Sequence, residues 1–211
     1  MKLLLYPVLL FVTACTGQTN QNDNYYFPVK NCFNEKTYCY VNQTDSTEKS
    51  YWKLKTIVSN IDTLLQTTIL DSKNRISEVM VEKILNGISK ISTYTLYNYD
   101  QQGIQHKSEC KIIDSVVFIE GQKANTEIQW KVIFKGFNSS DTCELTKTRI
   151  LMINRLNQST FTDLMKFEVL STKQGYQYHM TSVYEKDKGL VSYKLSFPGE
   201  KVKDYILMNI K

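Results

Sequence analysis

The dominant pattern along the chain is alternation with a period of two. Ile128, Trp130, Val132 and Phe134 fall on one face of a segment whose other face carries Glu127, Gln129, Lys131 and Lys135. Trp52, Leu54 and Val58 alternate with Lys53 and Lys55, and Met165, Phe167 and Val169 with Lys166 and Glu168. Val191, Tyr193, Leu195 and Phe197 alternate with Ser192, Lys194 and Ser196. Successive side chains of an extended strand point to opposite faces, so the pattern predicts half-buried antiparallel strands. Turn-forming clusters punctuate it, among them Ser72-Lys73-Asn74, Asn86-Gly87, Asp100 to Gly103, Asn138 to Asp141, Lys173-Gln174-Gly175 and Pro198-Gly199-Glu200. Asn86-Gly87 is the sharpest, because a type I′ hairpin needs positive φ at both central residues. Turns spaced by roughly 10 to 16 residues predict a meander of about 11–13 strands.

No segment carries an apolar stripe at helical spacing with caps at both ends, and residues 82–92 fit a helix only across Asn86-Gly87. Residues 75–85 are apolar on both faces, with Ile76, Met80 and Ile84 on one and Val79, Val81 and Leu85 on the other. A strand of that kind suits the middle of a curved sheet, the wall of an apolar cavity, or a sandwich core. The expected fold is therefore all-β, an antiparallel meander forming a curved open sheet or half-barrel, or else a β-sandwich. Composition agrees. Tyr (14) and Phe (9) are plentiful while Pro (3) and Gly (8) are scarce, which favours extended structure with short turns, and 42% hydrophobic residues exclude disorder. A chain of 211 residues suits one such domain, placed at residues 25–211.

The first 24 residues are of another kind. Met1-Lys2 is a minimal positive start, and residues 3–12 are apolar apart from Tyr6 and Pro7. That run is about half the roughly 20 residues a membrane-spanning helix needs, so it predicts a secretion signal. It ends in Val12-Thr13-Ala14-Cys15, which resembles the bacterial lipobox: a branched apolar residue, two small residues, and the cysteine whose thiol takes the lipid. The resemblance implies a signal peptide over residues 1–14, lipidation of Cys15, and attachment to a membrane through that lipid. Residues 16–24 (TGQTNQNDN) contain no apolar residue and read as a flexible tether, with a reach of roughly 30 Å. Thr16 follows the cysteine where inner-membrane lipoproteins carry an aspartate, so similarity to Gram-negative lipoproteins implies the outer membrane, in either leaflet.

Both ends of the mature segment resemble secreted lipoproteins of Bacteroidota. Tyr26-Phe27-Pro28-Val29, with Tyr51-Trp52 beyond, is similar to their opening, and Tyr184 to Tyr193 (YEKDKGLVSY) resembles their final hairpin. Within that group the plan is similar to the half-barrels of lipoprotein carriers and outer-membrane lipoprotein receptors. The resemblance implies an all-β envelope lipoprotein.

Cys32, Cys39, Cys110 and Cys143 remain after Cys15 is assigned to lipid. Four cysteines in an exported chain allow two disulfides, and the expected pairing is Cys32–Cys39 with Cys110–Cys143. Unbridged thiols are the alternative. A metal site is not expected, since no pair has zinc-ligand spacing and the chain has two histidines, His106 and His179. No cofactor motif occurs: there is no P-loop and no G-x-G-x-x-G, and Gly87-Ile88-Ser89-Lys90-Ile91 lacks the second glycine of a nucleophile elbow. Glu78 and Glu82 share a strand face about 13 Å apart, beyond either glycosidase geometry. A formal charge of +5 from 26 basic and 21 acidic residues, spread along the chain, gives no nucleic-acid stripe.

These features lead to a non-enzymatic lipoprotein with no catalytic residue assigned. Its sheet face, through Trp52, Trp130 and Tyr193, is expected to bind an apolar ligand such as a lipid, or an envelope protein. An envelope glycan hydrolase and a purely structural lipoprotein are the alternatives.

Overall fold

The computed structural model describes residues 32–59, 62–85, 88–119, 127–137, 142–152, 160–171, 175–185 and 188–211. Every regular element among them is a strand: β1 (Lys36–Asn42), β2 (Lys49–Ser59), β3 (Asp62–Leu70), β4 (Ile76–Leu85), β5 (Ile88–Tyr99), β6 (Gln105–Glu109) and β7 (Lys111–Asp114). They continue as β8 (Val116–Ile119), β9 (Glu127–Lys135), β10 (Thr142–Met152), β11 (Thr160–Ser171), β12 (Gly175–Glu185), β13 (Gly189–Ser196) and β14 (Lys203–Ile210). One antiparallel sheet holds all fourteen, in the order β6-β5-β4-β3-β2-β1-β14-β13-β12-β11-β10-β9-β7, with β8 beside β5. It curls into a half-barrel, which decides between the two layouts expected for an all-β meander.

The alternation in the sequence becomes an inner and an outer face. On β9, Ile128, Trp130 and Val132 are buried while Glu127, Gln129 and Lys135 are exposed. On β2, Leu54 and Thr56 point inward, but Val58 is 65% exposed despite sharing their register. Val58 pairs with Thr63 at the hairpin end of β2, where the strand runs past the packed interior. The inward positions expected at 165, 167 and 169 fall in β11, whose side chains lie outside the described residues. Leu85 pairs with Ile88, so β4 and β5 are joined by the two residues singled out above, although Asn86 and Gly87 themselves lie outside the described set. Asn74 adopts φ 58° between β3 and β4, a conformation that asparagine tolerates better than most residues.

Residues 105–119 explain why the count exceeds the expected 11–13. They run back along β5 as one antiparallel stretch that changes partner midway. β6 pairs with Thr95–Tyr99 and β8 with Ile88–Lys90 of β5, whereas β7 turns to pair with Lys131–Ile133 of β9. Backbone bonds from Cys110 N–H to Tyr94 C=O (2.9 Å) and from Ile91 N–H to Ser115 C=O (2.8 Å) carry the switch. The stretch straps the two flanks of the curl together. At the other side, β14 lies beside β1, so residues far apart in sequence complete the wall.

The core is aromatic and aliphatic, with Tyr38, Tyr40, Leu54, Leu65, Tyr94 and Leu190 almost wholly buried. Tyr40 donates its hydroxyl hydrogen to the Leu190 carbonyl at 2.8 Å, joining β1 to β13 through the interior. Tyr40→Phe is expected to lower stability by about 1 kcal/mol, the usual net contribution of such a bond, without altering the fold. A urea titration checks this; an unchanged midpoint would show that the hydroxyl contributes nothing.

The expected disulfides are not formed: Cys32, Cys39, Cys110 and Cys143 are four separate thiols. Cys39 alternates with the buried Tyr38 and Tyr40 and so projects from the outer face of β1, whereas Cys32 is buried against Tyr38. Cys110 and Cys143 share the inner face but flank Phe134. Phe134 pairs with Cys143, and Lys111 pairs with Ile133, so β9 stands between the two cysteines. Two strand spacings, about 9–10 Å, exceed the 7 Å or so that a bridge spans. Burial pushes the Cys110 thiol up to about 12, aided by the negative Glu78 and opposed by Lys147, and burial likewise raises Cys32. Both are expected to resist alkylation at pH 8 in the native protein. Denaturation without reductant should then make all four thiols react, and mass spectrometry of the alkylated peptides reads the result.

Candidate functional site

Inside the curl lies a cavity of about 390 Å³. Trp52 from β2, Trp130 from β9 and Tyr193 from β13 all line it, so the curvature brings together three residues that lie on separate parts of the sheet. Each is there for the same reason: it occupies an inward position of an alternating strand.

One wall is a packed group of rings. Trp52 and Tyr193 lie 5.7 Å apart between centroids, Tyr193 stacks on Tyr205 at 4.7 Å, and Tyr40 backs both Trp52 (5.6 Å) and Tyr193 (5.3 Å) edge-on. These spacings are those of favourable aromatic pairs. Trp52 Nε1–H donates to Ser50 Oγ at 3.1 Å, which fixes the indole in the wall. Tyr178 and Phe197 stack at 4.9 Å to form a second aromatic surface, and Met80, Val117 and Met180 contribute aliphatic surface.

The opposite wall holds a polar cluster that the sequence reading did not identify. Trp130, only 2% exposed, meets Tyr94 edge-on at 5.8 Å. Lys147, 6% exposed, places its ammonium 4.5 Å from the Trp130 ring centre and 5.1 Å from that of Tyr94. Its Nζ donates to the Tyr94 hydroxyl at 3.2 Å, and that hydroxyl donates in turn to a carboxylate oxygen of Glu78. Glu78 and Lys147 line the cavity, while Tyr94 stands behind them. Desolvation, then the neighbouring Glu78 charge and hydrogen bond, push the Tyr94 phenol well above its ordinary range, so it stays a neutral relay between the two ions. A signal for this cluster was present in the sequence. Glu78 shares the parity of Met80 on β4, and Lys147 that of Leu145 on β10, so both charges stand on inward positions.

Glu82 shares the inner face of β4 but is fully buried, and accepts a hydrogen bond from Ser89 Oγ at 2.8 Å. His106 is exposed and contacts Asp100 at 3.2 Å, and His179 is exposed on β12; neither lines the cavity. Among the described residues no group of His, Cys, Asp or Glu is arranged to hold a metal ion.

Two further acids, Glu48 and Asp71, line the cavity. Glu48 accepts from Lys203 Nζ at 2.7 Å and from Asn42 Nδ2 at 2.8 Å, and Asp71 accepts from Arg75 Nε at 2.8 Å. Partial burial would raise the Glu48 carboxyl, but hydrogen bonds from Lys203, Asn42 and Tyr205 outweigh it and hold it below its ordinary 4.5. A carboxyl depressed on folding stabilises the fold above its unfolded value and loses that contribution as pH falls through the folded one. The Glu48–Lys203 link across β14 is therefore expected to persist at pH 5 and to weaken below about 4.5. The side-chain carboxyl carbon shift of Glu48, followed by NMR from pH 6 downward, tests this.

No protein-family model matches the chain, and no curated protein matches it. Two solved structures do. One is a candidate lipoprotein from Parabacteroides distasonis, 8% identical, covering 84% of this chain and 94% of its own, with a TM-score of 0.48. The other is a candidate exported protein with a YmcC-like fold from Bacteroides fragilis, 10% identical, covering 84% of this chain and 95% of its own, with a TM-score of 0.51. At that identity the likeness is one of fold, and the chain shares the all-β, YmcC-like architecture of the Bacteroides fragilis protein.

Proposed function

We propose that the chain is an outer-membrane lipoprotein, anchored through Cys15, that binds an apolar ligand inside its curled sheet and catalyses no reaction. The observation that carries this reading is the meeting of Trp52, Trp130 and Tyr193 around one cavity of about 390 Å³. Small-molecule sites are concave and mostly apolar, of some 300–1,000 Å³, with a few polar groups that orient the ligand. Export is supported by the leader and lipobox in residues 1–15, which lie outside the described residues, and by the shared fold with a candidate exported protein. A glycan hydrolase would need two accessible carboxyl groups no more than about 9.5 Å apart. The pair on the inner face of β4 does not meet that requirement, since Glu78 and Glu82 are four strand residues apart, about 13 Å, and Glu82 is fully buried.

Native mass spectrometry of the protein purified from its own membrane tests the binding reading. The expected spectrum carries an added mass of a few hundred daltons that organic extraction removes and identifies as a lipid-like molecule. A spectrum of bare protein, or of protein with a second polypeptide, would favour the structural or protein-partner alternative. Cys15→Ala is expected to abolish labelling by a clickable palmitate analogue and to release the protein from the membrane fraction. Persistent labelling would show that the anchor lies elsewhere.

A further inference from the structure

The cavity is not uniformly apolar, and its polar groups are specific enough to describe the ligand. Tyr94, through its single hydroxyl, accepts from Lys147 and donates to Glu78, which ties a cation and an anion into one neutral unit in the wall. Glu78 is bonded there through Oε2, which leaves Oε1 as an acceptor on a residue that lines the cavity. Two further lining residues, Thr67 and Trp130, are each 2% exposed, and their Oγ1 and Nε1 have no hydrogen-bond partner among the described residues. Buried polar groups without partners are rare in native proteins and costly. This end of the cavity therefore offers an acceptor, Glu78, beside donors, the Lys147 ammonium and the Trp130 indole. The far wall, with Trp52, Tyr193 and Tyr205, offers packed rings.

We infer that the ligand is an uncharged amphiphile whose hydroxyl or amide end sits at Glu78 and Lys147 and whose apolar body lies against Trp52 and Tyr193. This rests on the reading of the cavity as a ligand site. A hydroxyl or amide donates to the carboxylate and accepts from the cationic side, matching both halves of the neutral unit. A carboxylate end would stand beside Glu78, and a cationic end beside Lys147, each adding a like charge to a poorly solvated site. A purely apolar end would cover Glu78 and supply nothing in place of water. A cavity of about 390 Å³ lies within the range of small-molecule sites.

The chain's two tryptophans both line the cavity, so intrinsic fluorescence reports on it directly. The mature chain, residues 15–211 carrying Cys15→Ser and so without leader or lipid, is titrated with five ten-carbon probes: decanol, decanamide, decanoate, decylammonium and decyl methyl ether. Decanol and decanamide are expected to bind at least about tenfold tighter than the two ions and the ether, since the ether lacks the proton that Glu78 accepts. Glu78→Gln, which preserves shape and removes the charge, is expected to weaken decanol about tenfold and to improve decanoate. The wild-type series stands whether or not that variant folds, and circular dichroism checks the variant. Equal affinities for all five probes, unchanged in Glu78→Gln, would overturn the polar-end assignment while leaving an apolar binding cavity. Tighter binding of either ion would overturn it in favour of a charged ligand. No fluorescence response to any probe would remove the cavity reading itself.

Discussion

Trp130→Ala is expected to destabilise the domain by about 3–5 kcal/mol, the range for deleting a buried tryptophan. The indole is only 2% exposed and packs edge-on against Tyr94 at 5.8 Å, so truncation opens a hole that its strand-bound neighbours cannot close. It also removes the ring over which Lys147 places its ammonium at 4.5 Å. Against a typical stability of 5–15 kcal/mol, the loss is a large fraction of the total. The urea midpoint should fall sharply with little change in slope, because the surface exposed on unfolding is nearly the same. A drop equivalent to less than about 1 kcal/mol would show that the ring is not held in a closed interior. Trp52 is the contrasting case. It lines the same cavity but is only half-buried, so Trp52→Ala should cost less stability and report more directly on ligand binding. Lining a cavity and being packed are separate properties, and Trp130 has both.

The same distinction marks what the sequence discloses. The inward placement of Trp52, Trp130 and Tyr193 was legible because parity along a strand is local: each alternates with lysine, glutamine or serine. Asn86-Gly87 was legible because its backbone demand is local too. Curvature is not local. A half-barrel and a sandwich bury one face of every strand equally, so alternation cannot choose between them. The change of partner within residues 105–119 comes from closure of the curl, and nothing in that stretch announces where β6 ends and β7 turns away. The disulfide expectation failed for a related reason. Spacing along the chain does not show which face or strand a cysteine takes: parity places Cys39 outside, and β9 separates Cys110 from Cys143. Glu78 and Lys147 stand at inward positions that parity identifies, but their meeting through Tyr94 depends on β10 coming up against the paired strands β4 and β5 inside the curl. Charged residues in apolar register were the overlooked signal, since such groups are almost never buried unless paired.

Lys147 is where that signal has its largest energetic consequence. The residue is only 6% exposed, and its ammonium meets the Tyr94 hydroxyl at 3.2 Å and two ring faces. A desolvated cation–π contact contributes about 2 kcal/mol, and a hydrogen bond to a charged group about 1.5–3. Lys147→Ala forfeits both, and also the packing of the four-carbon stem against Trp130. A loss of about 3 kcal/mol or more is expected, allowing for non-additivity of contacts on one group. Lys147→Met separates charge from volume. It keeps most of the stem, removes a cation that was costly to desolvate, and leaves the Tyr94 hydroxyl still donating to Glu78. Apolar replacement of a whole buried ion pair is often close to neutral, whereas removing one ion leaves its partner uncompensated. Glu78 is only half-buried and keeps the Tyr94 hydrogen bond, so Lys147→Met should still cost stability, but less than alanine. Urea midpoints of the two variants make the comparison, with near-ultraviolet circular dichroism confirming that the tryptophan environment persists. If methionine proves as damaging as alanine, the positive charge itself holds this wall together, and the cluster is an electrostatic element of the fold before it is part of a binding site.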